Sequence, residues 1–393
     1  MDGKPMRQRL FPDYRPGWER ESHSLLRAHA AEFFAKEATP NQERWAAQHQ
    51  VDREFWNKAG DAGLLCVGLP EEHGGGGGDF GHEAIVWQEL AFAHDTSFAF
   101  SVHSTICAHY IHAYASTEQQ QRWGPRLASG EAVAAIAMTE PGTGSDLQAV
   151  RTTAVRDGGE YVVNGSKTFI TNGSHCDLLI IVAKTNSSLG ARGISLIVAE
   201  TEDLPGFERG RVLHKIGANG MDTRELSFTD MRVPAANLLG GVEGQGFFQL
   251  MAQLPRERLI IGVGGIASAE AAVLEAIRYA KDRQAFGQPI LDFQNTRFVL
   301  AECKTEVLAG KTLMDYCIQR YLDGTLDAAT ASMAKLWGTD KQVEIVDRCL
   351  QIFGGYGFVM EYPIAQMYAA ARVQKIYGGT NEIMKELIGR GLA

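Results

Sequence analysis

The side chains best suited to chemistry lie in the middle of the chain. Ala137-Met138-Thr139-Glu140-Pro141-Gly142-Thr143-Gly144-Ser145-Asp146-Leu147 is dense in glycine and hydroxyl residues. Such a loop can point N–H and O–H groups at a phosphate or at the polar edge of a ring, because little side-chain bulk blocks approach. An ordinary surface turn is the plain alternative. In Gly165-Ser166-Lys167-Thr168-Phe169-Ile170-Thr171-Asn172-Gly173, Phe169 and Thr171 stand two apart. A strand would turn both to one side, an aromatic wall beside a hydrogen-bonding group. That pairing suits a flat ring cofactor, and equally a core Phe beside a satisfied Thr. Two glycine runs, 76–81 and 262–267, imitate a dinucleotide fingerprint. The first does not follow a strand directly and the second lies inside a helical stripe, where small residues serve close helix packing. His109 and His112 have helical ligand spacing but no HExxH pattern or acidic partner, so they read as core or surface histidines rather than metal ligands.

Elements must hold these segments, and the chain has material for several. It has 393 residues, 45% hydrophobic and 22% charged, the profile of a globular protein of two or three domains. A net charge of −9 gives no basic footprint, so nucleic acid is not an expected partner. No uninterrupted apolar run approaches the roughly 20 residues that span a bilayer, so no integral membrane association is expected. The six cysteines, Cys66, Cys107, Cys176, Cys303, Cys317 and Cys349, form no CxxC pair, which predicts buried thiols in a reducing compartment and no metal. The first residues, MDGKPMRQRLFPDY, lack the apolar stretch of a secretory signal. A bacterial cytoplasmic protein, or a processed mitochondrial matrix protein, is the expectation.

Apolar periodicity predicts helices from about 14 to 131, with 24–34 and 84–93 clearest. Between 133 and 241 the period becomes that of strands: 161–163, an Asn164-Gly165 turn of type I′, then 167–171, 178–183, 194–199 and 225–228. Beyond Gly246, Leu259, Val263, Ile266, Ala269, Val273, Ile277 and Ala280 recur at steps of three or four, one face of a long helix. Helices over 298–321, 328–353 and the C-terminus follow. The order is α, β, α.

These two segments resemble the flavin-binding signatures of the acyl-CoA dehydrogenase family. Further matches are Arg283-Gln284-Ala285-Phe286-Gly287, Gln351-Ile352-Phe353-Gly354-Gly355-Tyr356-Gly357 and Ile376-Tyr377-Gly378-Gly379-Thr380-Asn381-Glu382, so the likeness covers nearly the whole chain. The long-chain members are most similar, at Leu213-His214-Lys215-Ile216-Gly217 and from Gly379 to Leu387. The resemblance implies an α+β fold with an N-terminal α-helical domain (1–132), a central β-sandwich or barrel domain (133–241) and a C-terminal four-helix bundle (242–393).

It also implies FAD as cofactor, acyl-CoA as substrate, electron-transfer flavoprotein as acceptor, and a homotetramer. By motif matching, Met138, Thr139, Ser145, Phe169, Ile170 and Thr171 would line the flavin, with Phe169 where many relatives carry tryptophan. Arg283, Gln294, Gln351, Ile352, Phe353, Gly354 and Gly355 would reach the adenine and diphosphate, partly from a neighbouring subunit, and Thr380 and Glu382 would return to FAD. Ser145, Arg258, Gly378 and Gly379 would touch substrate.

Dehydrogenation needs a base for the proton α to the thioester, a carboxylate whose pKa burial raises. Many relatives carry it where this chain has Gly378. Long-chain and isovaleryl-type members place it on a C-terminal-domain helix, and the matching segment Leu254-Pro255-Arg256-Glu257-Arg258-Leu259 assigns the role to Glu257. Without the resemblance, a carboxylate between two arginines reads as exposed helix surface. An idle family member serving as an assembly protein, or an oxidase or monooxygenase on the same scaffold, are the alternatives. Ser97-Phe98-Ala99 replaces a Gly-Pro-Gly usual in long-chain members, so a lost helix break or a Phe98 pocket floor could shorten the accepted acyl chain.

Overall fold

The computed structural model describes residues 9–392; the first eight residues of the MDGKPMRQRLFPDY reading lie outside them. Six helices come first: α1 (Glu21–Phe33), α2 (Gln42–Gln48), α3 (Arg53–Asp61), α4 (Phe80–Phe92), α5 (Ala108–Tyr114) and α6 (Thr117–Ala128). A π-helical turn, Ser101–Cys107, leads into α5. Seven strands follow: β1 (Val133–Ala137), β2 (Thr153–Asp157), β3 (Glu160–Thr171), β4 (Cys176–Lys184), β5 (Ile194–Glu200), β6 (Phe207–Val212) and β7 (Thr223–Pro234). The remainder is helical, α7 (Gly246–Asp282), α8 (Gln294–Leu322), α9 (Ala328–Phe353), α10 (Pro363–Ala371) and α11 (Asn381–Arg390), apart from a short two-stranded pair, Gln284–Ala285 with Gln288–Pro289, between α7 and α8.

The strands form one sheet in the order β1-β4-β2-β3-β7-β6, with β5 on the other free side of β4. β4 is apolar at nearly every position because both of its faces are covered. Leu178, Ile180 and Val182 join a core with Trp56 and Phe98 of the N-terminal helices, while Leu179, Ile181 and Ala183 join Ile197 and Phe228 on the opposite face. At about 1.5–3 kcal/mol for each large aliphatic side chain buried, β4, with Val133 of β1 and Leu196 and Val198 of β5 in the same core, ties the sheet to the helices.

Three sequence expectations change. Asn164-Gly165 is not a turn: the β2–β3 hairpin closes at Gly158-Gly159, and β3 runs on through a bulge against β7. The Asn164 amide is spent across the sheet, donating to Asp230 Oδ1 and accepting from its N–H, and a Cβ on Gly165 would lie 2.4 Å from Thr152 Oγ1. Next, α7 is not one-faced. Ile260, Ile261, Val263, Ile266 and Ala267 are all buried, because α4, α8 and α9 enclose the helix. By length and mean hydropathy α7 is long and apolar enough to cross a membrane, but 89% of its most apolar window is buried within the protein, as in a core helix. Its glycines serve packing as expected: a Cβ on Gly262 would sit 2.8 Å from the Ala334 carbonyl oxygen of α9. Finally, the helix break near Phe98 persists without Gly or Pro. Residues 95–99 are non-helical, and the Asp95 carboxylate accepts from the N–H groups of Ser97 and Phe98 at 2.7 Å. Phe98 packs against Phe55 and Trp56 in the helical core. All six cysteines are buried free thiols.

Candidate active site

Glu257 lies in the N-terminal third of α7 and is only 5% exposed, so the surface reading of this carboxylate does not hold. The Tyr110 hydroxyl of α5 donates to its Oε1 at 2.7 Å. Burial pushes the Glu257 carboxyl up; the Tyr110 hydrogen bond and the charges of Arg258 and Arg256 oppose this without cancelling it. The neighbouring Arg256 points to the other side, where its guanidinium meets the Thr105 carbonyl and the Glu83 carboxylate of α4. His109 Nε2 donates to Glu83 Oε1 at 2.6 Å, and burial pushes its imidazole down to about 4, so it is neutral near pH 7. His109 is therefore a core histidine, as read from sequence, but it belongs to a buried ion-pair cluster directly behind the carboxylate.

The 378–380 loop faces the same stretch of α7. Gly378 and Gly379 have φ of 65° and 91°, the left-handed region that glycine adopts without strain. A Cβ at Gly378 would lie 2.4 Å from Ile261 Cδ1, and Ile261 is one helical turn beyond Glu257. A Cβ at Gly379 would lie 4.0 Å from Arg258 Nη2. Glu257, Arg258, Gly378 and Gly379 are thus brought together. Thr380 caps α11, its hydroxyl accepting from Ile383 N–H, and Glu382 stands exposed on the first turn. One residue not singled out in the sequence fixes this loop. Buried Lys335 of α9 donates to the Gly379 carbonyl and to Asn381 Oδ1, each at 2.8 Å. A lone lysine amid the apolar stretch 331–338 was its only sequence signal.

On the sheet, the 137–147 loop is stapled to β3. Buried Lys167 donates to the Met138 carbonyl at 3.0 Å, to Glu140 Oε1 at 2.9 Å and to the Val182 carbonyl at 2.7 Å. Glu140 also accepts from the N–H groups of Arg151 and Thr152. Met138 and Thr139 are half-buried and Ser145 is exposed. The expected alternation of Phe169 and Thr171 is broken. β3 skips from the pair Lys167↔Leu226 to Ile170↔Arg224, and Phe169 takes a φ of 60° in this bulge. Ile170 turns into the core, Thr171 is half-buried, and the Phe169 ring is left 67% exposed. A phenylalanine held in water by an unfavourable backbone conformation is a stacking face for a flat ring, which fits the expected flavin.

The third set lines a cleft of about 410 Å³. Arg283, Gln351, Ile352, Phe353, Gly354 and Gly355 are all on its wall, together with Tyr279, whose ring stacks on Phe353 at 4.2 Å. A Cβ on Gly354 or Gly355 would meet nothing within 4 Å, so the backbone there is open to a ligand. Gln294 is not on this wall; it is exposed at the start of α8. Among the described residues no hydrogen bond or ion pair joins this cleft to the Phe169 surface.

His23, Asp79 and His82 cluster closely enough to suggest a metal site. Their capacity is spent on helix caps, for His23 Nδ1 accepts from Arg20 N–H and His82 Nδ1 from Asp79 N–H. His112 turns away from His109 toward His73.

Family models for acyl-CoA dehydrogenase match in chain order: the N-terminal domain at residues 20–131, the middle domain at 135–231 and the C-terminal domain at 244–393. The chain is 46% identical over 370 residues to the long-chain specific acyl-CoA dehydrogenase of pig (Sus scrofa) mitochondria, covering 94% of this chain and 86% of that protein. Among solved structures it is similar to an acyl-CoA dehydrogenase from Geobacillus kaustophilus, with 42% identity and a TM-score of 0.93 over 96% of this chain and 100% of that one. It is also similar to a glutaryl-CoA dehydrogenase from Mycobacterium smegmatis in complex with FADH2, with 27% identity and a TM-score of 0.89 over 95% of each chain. Likeness of this extent, spanning all three parts of the fold and both faces of the Glu257 site, makes the chain a member of the acyl-CoA dehydrogenase family.

Proposed function

We propose that this enzyme converts acyl-CoA thioesters of the long-chain type to trans-2-enoyl-CoA, with Glu257 as the base. The observation that carries the reading is the buried carboxylate of Glu257 facing a loop whose own position 378 has no acid. Glu257 takes the proton from the α carbon, and the dry surroundings that raise its pKa also make it a better proton acceptor near neutral pH. Backbone N–H groups of the 378–380 loop, fixed by Lys335, polarise the thioester carbonyl, and Arg258 lines the same pocket.

FAD, when bound, supplies the acceptor for the hydride that leaves the β carbon. Met138, Thr139, Ser145, Phe169 and Thr171 would hold its ring and ribityl side, Ile170 by its backbone alone because its side chain is in the core, while Arg283, Gln351, Ile352, Phe353, Gly354 and Gly355, with Thr380 and Glu382, would hold the rest, and Gln294, exposed off this wall, would reach it only from a neighbouring subunit. That no hydrogen bond or ion pair among the described residues joins the Phe169 surface to the Arg283 cleft is consistent with a cofactor shared between subunits, and the family resemblance makes that assembly a homotetramer. Phe286, 96% exposed, and Phe358, 92% exposed, lie in the same chain segments as the cleft residues Arg283 and Val359 and support the same assembly. Electron-transfer flavoprotein is the acceptor. We place the domain boundaries at 132/133 and 241/242, and the buried thiols support a reducing compartment, bacterial cytoplasm or mitochondrial matrix.

The purified protein should be yellow with FAD that acid releases, since no His or Cys stands in the flavin-facing segments as an attachment point. With electron-transfer flavoprotein as acceptor, kcat/KM should be higher for palmitoyl-CoA than for octanoyl-CoA or butyryl-CoA. A maximum at butyryl-CoA would overturn the long-chain assignment, and equal turnover with oxygen alone would overturn the acceptor.

A further inference from the structure

Tyr110 does more than fill space beside Glu257. α5 meets α7 along a hydrogen-bonded seam in which residues four apart on one helix read residues four apart on the other. The Tyr114 hydroxyl donates to the Gln249 carbonyl at 3.2 Å and accepts from Gln253 Nε2 at 3.3 Å, and one turn earlier the Tyr110 hydroxyl reaches Glu257. The π-helical turn before α5 presents the Thr105 carbonyl to Arg256, so the consecutive residues 256 and 257 are each held by this one segment. Among the described residues no donor other than Tyr110 reaches Glu257, and all of its hydrogen bonding is on Oε1.

We propose that Tyr110 is the positioning residue of the base: its hydroxyl pins Oε1 and leaves Oε2 as the oxygen presented to the substrate α carbon. This rests on Glu257 being the base. Burial and the nearby Glu257 charge push the Tyr110 phenol well above its ordinary value, so it stays protonated and donates at every working pH. The groups around Glu257 are few. Cys107 and Tyr110 face it from the α5 side, Arg256 and Arg258 from α7, and Glu83 and His109 stand behind Arg256, while Tyr114 neighbours Tyr110; the 378–380 loop contributes no charge. A hydrogen bond to the ionised form lowers a carboxyl pKa, so losing it moves the Glu257 midpoint up.

The test follows α-proton exchange in D2O by mass spectrometry, using the holoenzyme and an acyl-CoA with sulfur in place of the β methylene. That ligand undergoes no dehydrogenation; its α C–H breaks, the proton passes to Oε2, the electron pair rests on the enolate, and a deuteron returns. Tyr110→Phe should move the pH midpoint of exchange up by about one to two units, with about tenfold or greater loss below the midpoint and a lower limiting rate remaining well above it, where the unpinned carboxylate is ionised but less often aligned. Fluorotyrosine at position 110, a stronger donor of the same shape, should move the midpoint down. Tyr114→Phe, in the same seam without touching Glu257, should leave it unchanged. Unshifted midpoints in both Tyr110 proteins, with Glu257→Gln inert, would overturn the role of Tyr110 alone. Normal exchange in Glu257→Gln would overturn the base itself.

Discussion

Glu257→Gln should retain fold, FAD and acyl-CoA binding while losing about 10²–10⁴-fold or more in turnover with electron-transfer flavoprotein. The amide keeps the shape of the carboxylate and can still accept from Tyr110, so the 2.7 Å contact survives. What it loses is basicity. No second acid stands at position 378, and Glu83 is committed to Arg256 and His109 on the far side of α7. The loss should therefore fall on kcat and kcat/KM alike, the pattern of an interaction made only in the transition state. A rise in KM with kcat unchanged would mean that Glu257 binds substrate and another group removes the proton.

Lys167→Met should cost about 3–5 kcal/mol in unfolding free energy, because it removes one partner of a buried ion pair and strands the other. Burial already pushes the Lys167 ammonium down to about 8, and only Glu140 and two carbonyl oxygens hold the charge in place. Without it, Glu140 keeps two backbone donors but no counter-charge, and the Met138 carbonyl loses its anchor. Denaturant unfolding should show the lower stability, and the protein should emerge from gel filtration depleted of FAD. Wild-type stability with full FAD content would show that the loop holds its shape without the staple.

Much of this was legible in the residues, and the failures have physical causes. Strands with apolar runs, such as 178–183 and 194–199, were unmistakable because two covered faces leave no polar positions. Asn164-Gly165 misled because the same dipeptide that closes a hairpin also tolerates a bulge, and the choice was made by Asp230, far along the chain. Phe169 illustrates a different limit: the alternation rule holds for a regular strand, and a bulge set by β7 defeats it. Glu257 is the deepest case. Its flanking arginines make it look solvated, and its burial is decided by α4, α5 and the 378–380 loop, none adjacent in sequence. Only the family resemblance picked it out. Tyr110, Lys167 and Lys335 escaped for the same reason, since a buried partner is visible only once distant elements meet.

Moving the carboxylate tests the central claim most directly. Glu257→Gly and Glu257→Gly with Gly378→Glu should be compared by anaerobic single-turnover bleaching of the flavin with palmitoyl-CoA. Ile261 must give way for the new side chain, since its Cδ1 lies 2.4 Å from the Cβ position, and a φ of 65° adds strain at residue 378, so recovery should be partial. The expected result is near-complete loss of bleaching in Glu257→Gly and a measurable return in the double variant. Bleaching at the wild-type rate in Glu257→Gly would contradict the assignment of Glu257 as the base.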